Sequence, residues 1–215
     1  MDKHATLHYV YDPFCGWCYG LAPLVSVAAE IDGLNVMPHS GGMLAGEQAK
    51  MMSPKWRDFV RPHEERITAL SGQVFSETYQ QGTQFDYGVN FDSGPPTAAM
   101  LAADSVAGAG LKMLKRLQTA YYVEGRPIAE REELIRIAVE LGLDAEAFSD
   151  AYDQATRALG EHFEQTQAFL EAEGGCGYPT LAIERNGKLT MLHLEQYFGK
   201  PELFRRTLTD FLARG

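Results

Sequence analysis

Cys15-Gly16-Trp17-Cys18 places two thiols three residues apart. The motif follows the apolar run Leu7-His8-Tyr9-Val10-Tyr11 and the turn-forming Asp12-Pro13, and it opens a segment in which Leu21, Leu24, Val25 and Ala28 recur at helical spacing. A cysteine pair between a strand and the first turn of a helix has a defined chemistry. The free backbone N–H groups of the helix N-terminus favour an anion, so Cys15 is expected to reach its thiolate easily and act as a nucleophile. Cys18 lies on nearly the same helix face, close enough to close a disulfide with Cys15. Such a pair attacks a foreign disulfide through Cys15 and resolves the mixed disulfide through Cys18. Two other readings stay open: a pair of buried, inert thiols, or half of a zinc site. A closed zinc site needs two further ligands, and no second C-x-x-C occurs in the chain.

A second motif, Gly177-Tyr178-Pro179-Thr180, stands directly before the run Leu181-Ala182-Ile183-Glu184. Proline leading into a central strand is unusual unless its missing N–H or its isomer has a purpose. One reading is a cis Tyr178–Pro179 bond in a loop facing the dithiol, with the backbone of residue 178 free to pair with an extended substrate. The other is an ordinary trans turn. Cys176, three residues before Pro179, is either an accessory redox thiol beside Cys15 or a buried cysteine without a role. Asp12, three residues before Cys15, is placed to tune its pKa, or simply to end the strand.

The elements that must position these residues follow from pattern. Residues 7–11, the helix after Cys15 and a second strand at Leu34–Pro38 make a βαβ unit, with Gly33 as the helix stop. Between about residue 45 and residue 173 few strands are convincing. Gly94-Pro95-Pro96-Thr97 opens an Ala-rich helix to Ala107, Leu111–Tyr121 and Leu134–Leu141 make two more faces, and Gly142 caps the second of them. Asp144 caps a helix through Tyr152, and Leu159, Phe163, Thr166 and Leu170 mark a further long one. Residues 72–93 show no firm pattern. Strands return at Thr180–Glu184 and Leu189–His193 around Asn186-Gly187, a strong hairpin signal, and Pro201 opens a last helix. The order is βαβ, helical block, ββα, and the two β-containing ends can bury themselves only by sharing one sheet.

This layout resembles the thioredoxin fold as elaborated in DsbA-type thiol–disulfide oxidoreductases, and the resemblance covers essentially the whole chain. Asp12 to Gly20, with Ser40-Gly41-Gly42-Met43 after the second strand, looks most like the cytosolic FrnE-like branch. The resemblance implies an α/β, thioredoxin-like domain over 1–44 and 174–215 and an inserted all-helical domain over 45–173. It implies Cys15 as nucleophile, Cys18 as resolving thiol and Pro179 as the cis-proline, with Phe14, Trp17, Tyr178 and Thr180 facing substrate. It also implies no tightly bound cofactor and no metal, glutathione as a thiol partner, and disulfide-containing or unfolded proteins or small thiols as substrates; a homodimer stays open. The Gly-Trp dipeptide between the cysteines differs from the Pro-His of the strongly oxidising periplasmic members, which implies a less oxidising couple of reductase or isomerase type. Kappa-class glutathione transferases and 2-hydroxychromene-2-carboxylate isomerases share the layout and provide a glutathione-dependent alternative, though those usually carry Ser at the first cysteine. A zinc-holding chaperone or adaptor, using Cys176 and a histidine, is the non-enzymatic alternative.

Composition narrows the partners. The chain has 215 residues, 19 Lys+Arg, 29 Asp+Glu, a net charge of −10 and three cysteines. That balance argues against nucleic-acid and anionic-membrane surfaces, which are read by basic clusters. Neither a signal-peptide core nor a membrane-length apolar run is present, so a cytoplasmic location is expected. The acidity is concentrated: residues 126–175 hold 12 Asp+Glu against 4 Arg. Glu130, Glu132, Glu133 and Glu140 read as a solvated helix face. His8, His39 and His193 read as structural histidines, and Met43, Met51 and Met52 as core filler or an adaptable groove.

Overall fold

The computed structural model describes residues 5–172, 174–175 and 177–213. Cys176 lies outside them, so its proposed redox role has no structural counterpart here.

Strand β1 (Ala5–Tyr11) is aromatic and β-branched because both of its edges and both of its faces are covered. It pairs in parallel with β2 (Leu34–Ser40) and antiparallel with β5 (Thr180–Arg185), and β6 (Lys188–Met191) completes the sheet order β2-β1-β5-β6. The β5–β6 hairpin turns on Asn186 and Gly187, both at positive φ, as the Asn-Gly pair requires. The two ends of the chain do share one sheet, in a thioredoxin-like arrangement. Helix α1 (Gly16–Ala29) packs against it, buries Cys18, Leu21, Leu24, Val25 and Ala28, and meets the last helix of the chain, Pro201–Ala213.

Pro23 sits inside α1 and cannot donate to the carbonyl of Tyr19 one turn back. The Gln73 side-chain amide donates to that carbonyl instead, at 3.0 Å. A residue from the segment without sequence pattern thereby satisfies the backbone of the helix that carries the dithiol.

The helical block begins with α2 (Pro54–Ser71), which the apolar periodicity did not reveal. Its ends were nonetheless marked. Ser53 caps it by accepting from the Trp56 N–H at 3.2 Å, Pro54 occupies the first turn, and Gly72 closes it at positive φ. The segment after it forms a turn of π-helix at Thr78–Gly82, a 3₁₀ turn at Thr83–Phe85 and then β4 (Asn90–Phe91), which pairs with β3 (Lys50–Met51). Helices α3 (Gly94–Ala107), α4 (Gly110–Tyr122) and α5 (Arg131–Glu140) follow as expected.

The two helices expected after Asp144 are one, α6 (Ala145–Ala172), 28 residues long. Asp144 does cap it, accepting from the Ala147 N–H at 2.9 Å. Gly160 does not interrupt it, because α6 lies along α3, whose Ala98, Ala99, Ala102 and Ala103 are fully buried and leave room for close packing. The last helix, α7 (Pro201–Ala213), begins at the expected proline.

Two apolar clusters hold the fold. One joins the sheet, α1 and α7 and includes Met100 of α3 and Leu114 of α4. The other fills the helical block and includes Phe14 and Tyr19 from beside the dithiol. The expected solvated face of α5 is only partly so. Glu133 is buried and paired with Arg126 and Arg136, while Glu140 pairs with Arg116 and Arg126.

Candidate active site

Cys15 is the N-cap of α1, and no side chain caps the helix there. Its backbone N–H donates to the Asp12 carbonyl at 3.1 Å, closing the turn that Asp12-Pro13 begins. Both cysteines are free thiols; Cys15 is 7% exposed and Cys18 fully buried behind it. Burial pushes the Cys18 thiol well above its ordinary range; the adjacent Cys15 adds to the rise and the Asp12 backbone N–H opposes it. Cys18 therefore stays protonated at neutral pH until something takes its proton.

The Tyr178–Pro179 peptide is cis. The Cys15 thiol donates to the Tyr178 carbonyl at 3.6 Å, so the loop and the dithiol face each other across 163 residues of sequence. The Tyr178 ring is fixed at its far end, where its hydroxyl donates to Gly41 O at 3.1 Å and accepts from the Gln167 amide of α6 at 2.8 Å. A Cβ on Gly41 would stand 2.1 Å from that hydroxyl, and Gly42, at positive φ, lies against the Phe163 ring. The Ser40-Gly41-Gly42-Met43 stretch is thus the bed on which Tyr178 rests. Thr180 is buried, and its hydroxyl donates to Gly177 O at 2.8 Å, within the loop.

Asp12 is fully buried. One carboxylate oxygen accepts from the Phe14 N–H at 2.9 Å and the other from the Met43 N–H at 2.8 Å, tying the dithiol loop to the glycine bed. Burial raises its pKa to about 6, against the lowering effect of the Ser93 side chain and of these two bonds. Phe14 is buried edge-on to Phe91 and Tyr121, and its carbonyl accepts from the Tyr122 hydroxyl of α4 at 2.7 Å. Tyr19 stacks on Tyr122 within the core. Trp17 is half-buried: its indole N–H donates to His63 Nδ1 at 3.4 Å, and Arg66 lies over its ring.

A cavity of about 230 Å³ opens beside Cys15 between α2 and α4, walled by Trp17, Met43, Trp56, Phe59, Tyr121 and Tyr178. Most of its lining from α2 was not anticipated from sequence; the spacing of Trp56, Phe59 and His63 was the signal available. Of the other candidates, His8 and His39 bond each other at 3.0 Å, and His8 bonds Glu184 at 3.0 Å. They sit under Phe169 of α6 as structural histidines. His193 is exposed; Met51 is exposed and Met52 buried. Among the described residues, no group of three or more His, Cys, Asp or Glu side chains is arranged to hold a metal ion, and no helix is long and apolar enough to cross a membrane.

Comparison with known proteins follows the same lines. A family model described as a DSBA-like thioredoxin domain matches residues 6–204. No curated protein sequence matches. Among solved structures, the cytosolic disulfide reductase DsbM from Pseudomonas aeruginosa superposes with a TM-score of 0.91 at 44% identity, over 98% of this chain and 100% of that one. The same protein solved with GSH gives 0.87 at 42% identity, over 97% and 99%. A 2-hydroxychromene-2-carboxylate isomerase shares the fold alone, at 0.57 and 18% identity, over 97% and 96%.

Proposed function

The chain belongs to the DSBA-like thioredoxin family, and from that premise we propose that it is a thiol–disulfide oxidoreductase working as a cytoplasmic reductase with a low-molecular-weight thiol such as glutathione as its electron source. The observation that carries the reading is the meeting of three parts at one point: Cys15 at the start of α1, Cys18 buried behind it, and the Tyr178 carbonyl before Pro179 in front. The similarity to a cytosolic disulfide reductase, solved once with GSH, supports both the direction and the thiol. Residues 1–44 and 174–215 would form the redox unit, and 45–173 the helical insertion that walls the cavity.

In this reading the Cys15 thiolate attacks one sulfur of a substrate disulfide R–S–S–R′. A Cys15–S–R mixed disulfide forms, and R′S⁻ leaves and takes up a proton. Cys18 then loses its proton and attacks Cys15 Sγ. The Cys15–Cys18 disulfide forms, RSH leaves, and the substrate has gained the two electrons the dithiol has lost. Two molecules of external thiol restore the dithiol and leave as their own disulfide. The Tyr178 carbonyl and Pro179 orient the substrate backbone at the first step, and Phe14, Trp17 and Tyr178 form its apolar surroundings. No tightly bound cofactor enters.

Insulin reduction with glutathione as donor tests this. Cys15→Ser should abolish it, and retained turnover would refute the proposal. Cys18→Ser should accumulate mixed disulfides with substrate, visible by mass. The glutathione-dependent isomerase alternative, by contrast, predicts activity that survives loss of Cys18.

A further inference from the structure

The cavity beside Cys15 has a neighbour. Trp56 and Phe59 of α2 line it, and they also line a shallower, open groove of about 550 Å³ together with Lys50, Met51, Ser53 and Lys55. The two spaces adjoin across this pair of aromatic rings, which stand 5.5 Å apart. A path therefore runs from the nucleophile outward along the N-terminal half of α2. Its apolar side chains are uncovered: Phe59 is 58% exposed and Met51 51%. Exposed apolar groups gathered in one place mark a surface that another molecule covers.

The charge of this surface is the reverse of the chain's. The net charge is −10, yet residues 50–66 hold five Lys+Arg against three Asp+Glu. Of those acids, Glu64 is buried and Asp58 pairs with Arg57. Among the described residues, Lys50, Lys55, Arg61 and Arg66 enter no salt bridge, although the Arg61 charge acts on Glu64. No carboxylate is among the described residues that line the outer groove. Lys50 lies 4.8 Å over the Trp56 ring and Arg66 5.6 Å over Trp17, so cations are held at the aromatic rim without being neutralised.

The two ends of the path specify its occupant. At Cys15 the chemistry requires sulfur, so the occupant carries a disulfide. Along α2, uncovered aromatic rings beside unpaired lysines suit apolar and anionic groups on one ligand. An open groove that continues past the cavity fits an extended chain better than a small molecule, which a closed pocket would surround. We propose that Lys50, Met51 and the N-terminal half of α2 form the docking surface for an acidic polypeptide segment bearing the substrate disulfide. Its apolar residues lie on Trp56 and Phe59, and its carboxylates meet Lys50 and Lys55. This rests on the redox reading above and adds the class of substrate: protein disulfides flanked by acidic residues.

The test uses disulfide-linked dimers of a short peptide with cysteine at its centre, leucine on each side and Glu, Gln or Lys at the outer positions. Because these neighbours alter the reactivity of the thiols themselves, each kcat/KM is divided by the rate of the same dimer with a free dithiol. At low ionic strength the normalised order should be Glu, then Gln, then Lys, over about a tenfold span, the range of two exposed charge pairs gained or lost. The span should shrink in 1 M salt. Lys50→Glu combined with Lys55→Glu should reverse the order. Lys112→Glu combined with Lys115→Glu, both exposed on α4 and outside the groove, changes the total charge equally and should keep the wild-type order. An order that is absent in wild type, insensitive to salt, or reversed equally in both variants would overturn the proposal. So would oxidised glutathione losing as much kcat/KM as the Glu dimer when Lys50 and Lys55 are reversed, since the groove would then be a small-molecule subsite. A single-stranded oligonucleotide that displaces the Glu dimer better than a cysteine-free copy of its peptide would overturn it too. Absence of turnover with every dimer, with oxidised glutathione and with insulin would count against the redox reading instead.

Discussion

Two regions of the molecule treat charge in opposite ways. On the far side of the helical block, Arg116 and Arg126 share Glu124 and Glu140, Arg126 and Arg136 share Glu133, and Arg131 pairs with Asp153. Each acid there faces a cation, and the arginine partners draw the pKa values of Glu124, Glu140 and Asp153 below the usual carboxylate range. Around the dithiol, Asp12 and Glu64 are buried without a salt bridge, and desolvation pushes both upward. The far side holds most of the net negative charge, and there the buried acid, Glu133, is paired with arginines. The site holds two carboxyls and neither makes a salt bridge, the Arg61 charge only partly offsetting the rise at Glu64. A buried carboxyl without a counter-charge costs stability, and one that persists beside a nucleophile is better explained by what it does for the site than by what it adds to the fold.

The site side can be broken most severely through its geometry. Gly41→Ala would place a methyl group 2.1 Å from the Tyr178 hydroxyl, so the ring must leave its bed and take with it the carbonyl that meets Cys15. A misplacement of about 1 Å costs on the order of a hundredfold in turnover. Insulin reduction by Gly41→Ala should fall by about that factor while the protein stays folded by circular dichroism. Activity within a few fold of wild type would show that the Tyr178 loop does not position substrate.

The charge contrast itself is tested by pH. The Asp12 pKa is raised to about 6 in the folded protein, above its ordinary 3.8, so between those values the folded state binds the proton that the unfolded state has lost. Folding is therefore penalised progressively as pH rises from about 4 to about 6, by an amount on the order of 3 kcal/mol once both states are ionised. Urea unfolding of wild type should show this loss, and Asp12→Asn should lack it while being less stable at pH 4, where its NH₂ replaces one of two acceptors of backbone N–H groups. Parallel pH profiles for the two proteins would remove Asp12 from the account.

How far the sequence foretold this arrangement depends on which interactions are local. The strand before Cys15, the helix after it and the Asn-Gly hairpin are legible because each follows from periodicity or turn chemistry within a few residues. The facing of Tyr178 and Cys15 was readable only through the combination of two motifs. Helix α2 is harder to read because it buries only Glu64 and Ile67, carries Pro62 in its interior, and gives its helically spaced Trp56, Phe59 and His63 to the cavity wall; its cap signals at Ser53, Pro54 and Gly72 were there to be used. Gln73 repairing the carbonyl that Pro23 frees, or Gln167 reaching Tyr178, is a long-range match between polar groups with no sequence period at all. The single α6 reads from sequence as two helices because the apolar spacing lapses between Tyr152 and Leu159, and packing on α3 carries the helix through that gap.

Smaller effects are expected on the far side, and they should leave the chemistry alone. Glu133 is buried between two arginines, but Arg136 is well exposed, so the pair with Arg126 carries most of the cost of its removal. Glu133→Ala should destabilise by about 1–3 kcal/mol, below the value for a wholly buried pair, with insulin reduction per folded molecule unchanged. A loss of turnover out of proportion to stability would mean that the two regions are coupled, and that the contrast between them is not a division of labour.

The smallest effect has the opposite sign in pH from that of Asp12. Glu124 and Glu140 have folded pKa values below their unfolded ones. Their contribution is therefore present above the unfolded pKa and lost as pH falls through the folded one, which is ordinary acid destabilisation. These groups are largely exposed, so the stabilisation is screened and amounts to only about 0.2–1 kcal/mol per pair. Arg116→Met removes two of these pairs at once. At pH 7 and low salt it should be less stable than wild type by about 1 kcal/mol, and the difference should shrink both in 1 M salt and below pH 4, where the carboxylates are screened or protonated. The Asp12 effect, which comes from burial of a group that salt does not reach, should persist in 1 M salt. If salt removes both effects equally, the site carboxyl is as solvated as the far-side ones. Its raised pKa then has another origin, and burial ceases to distinguish the two regions.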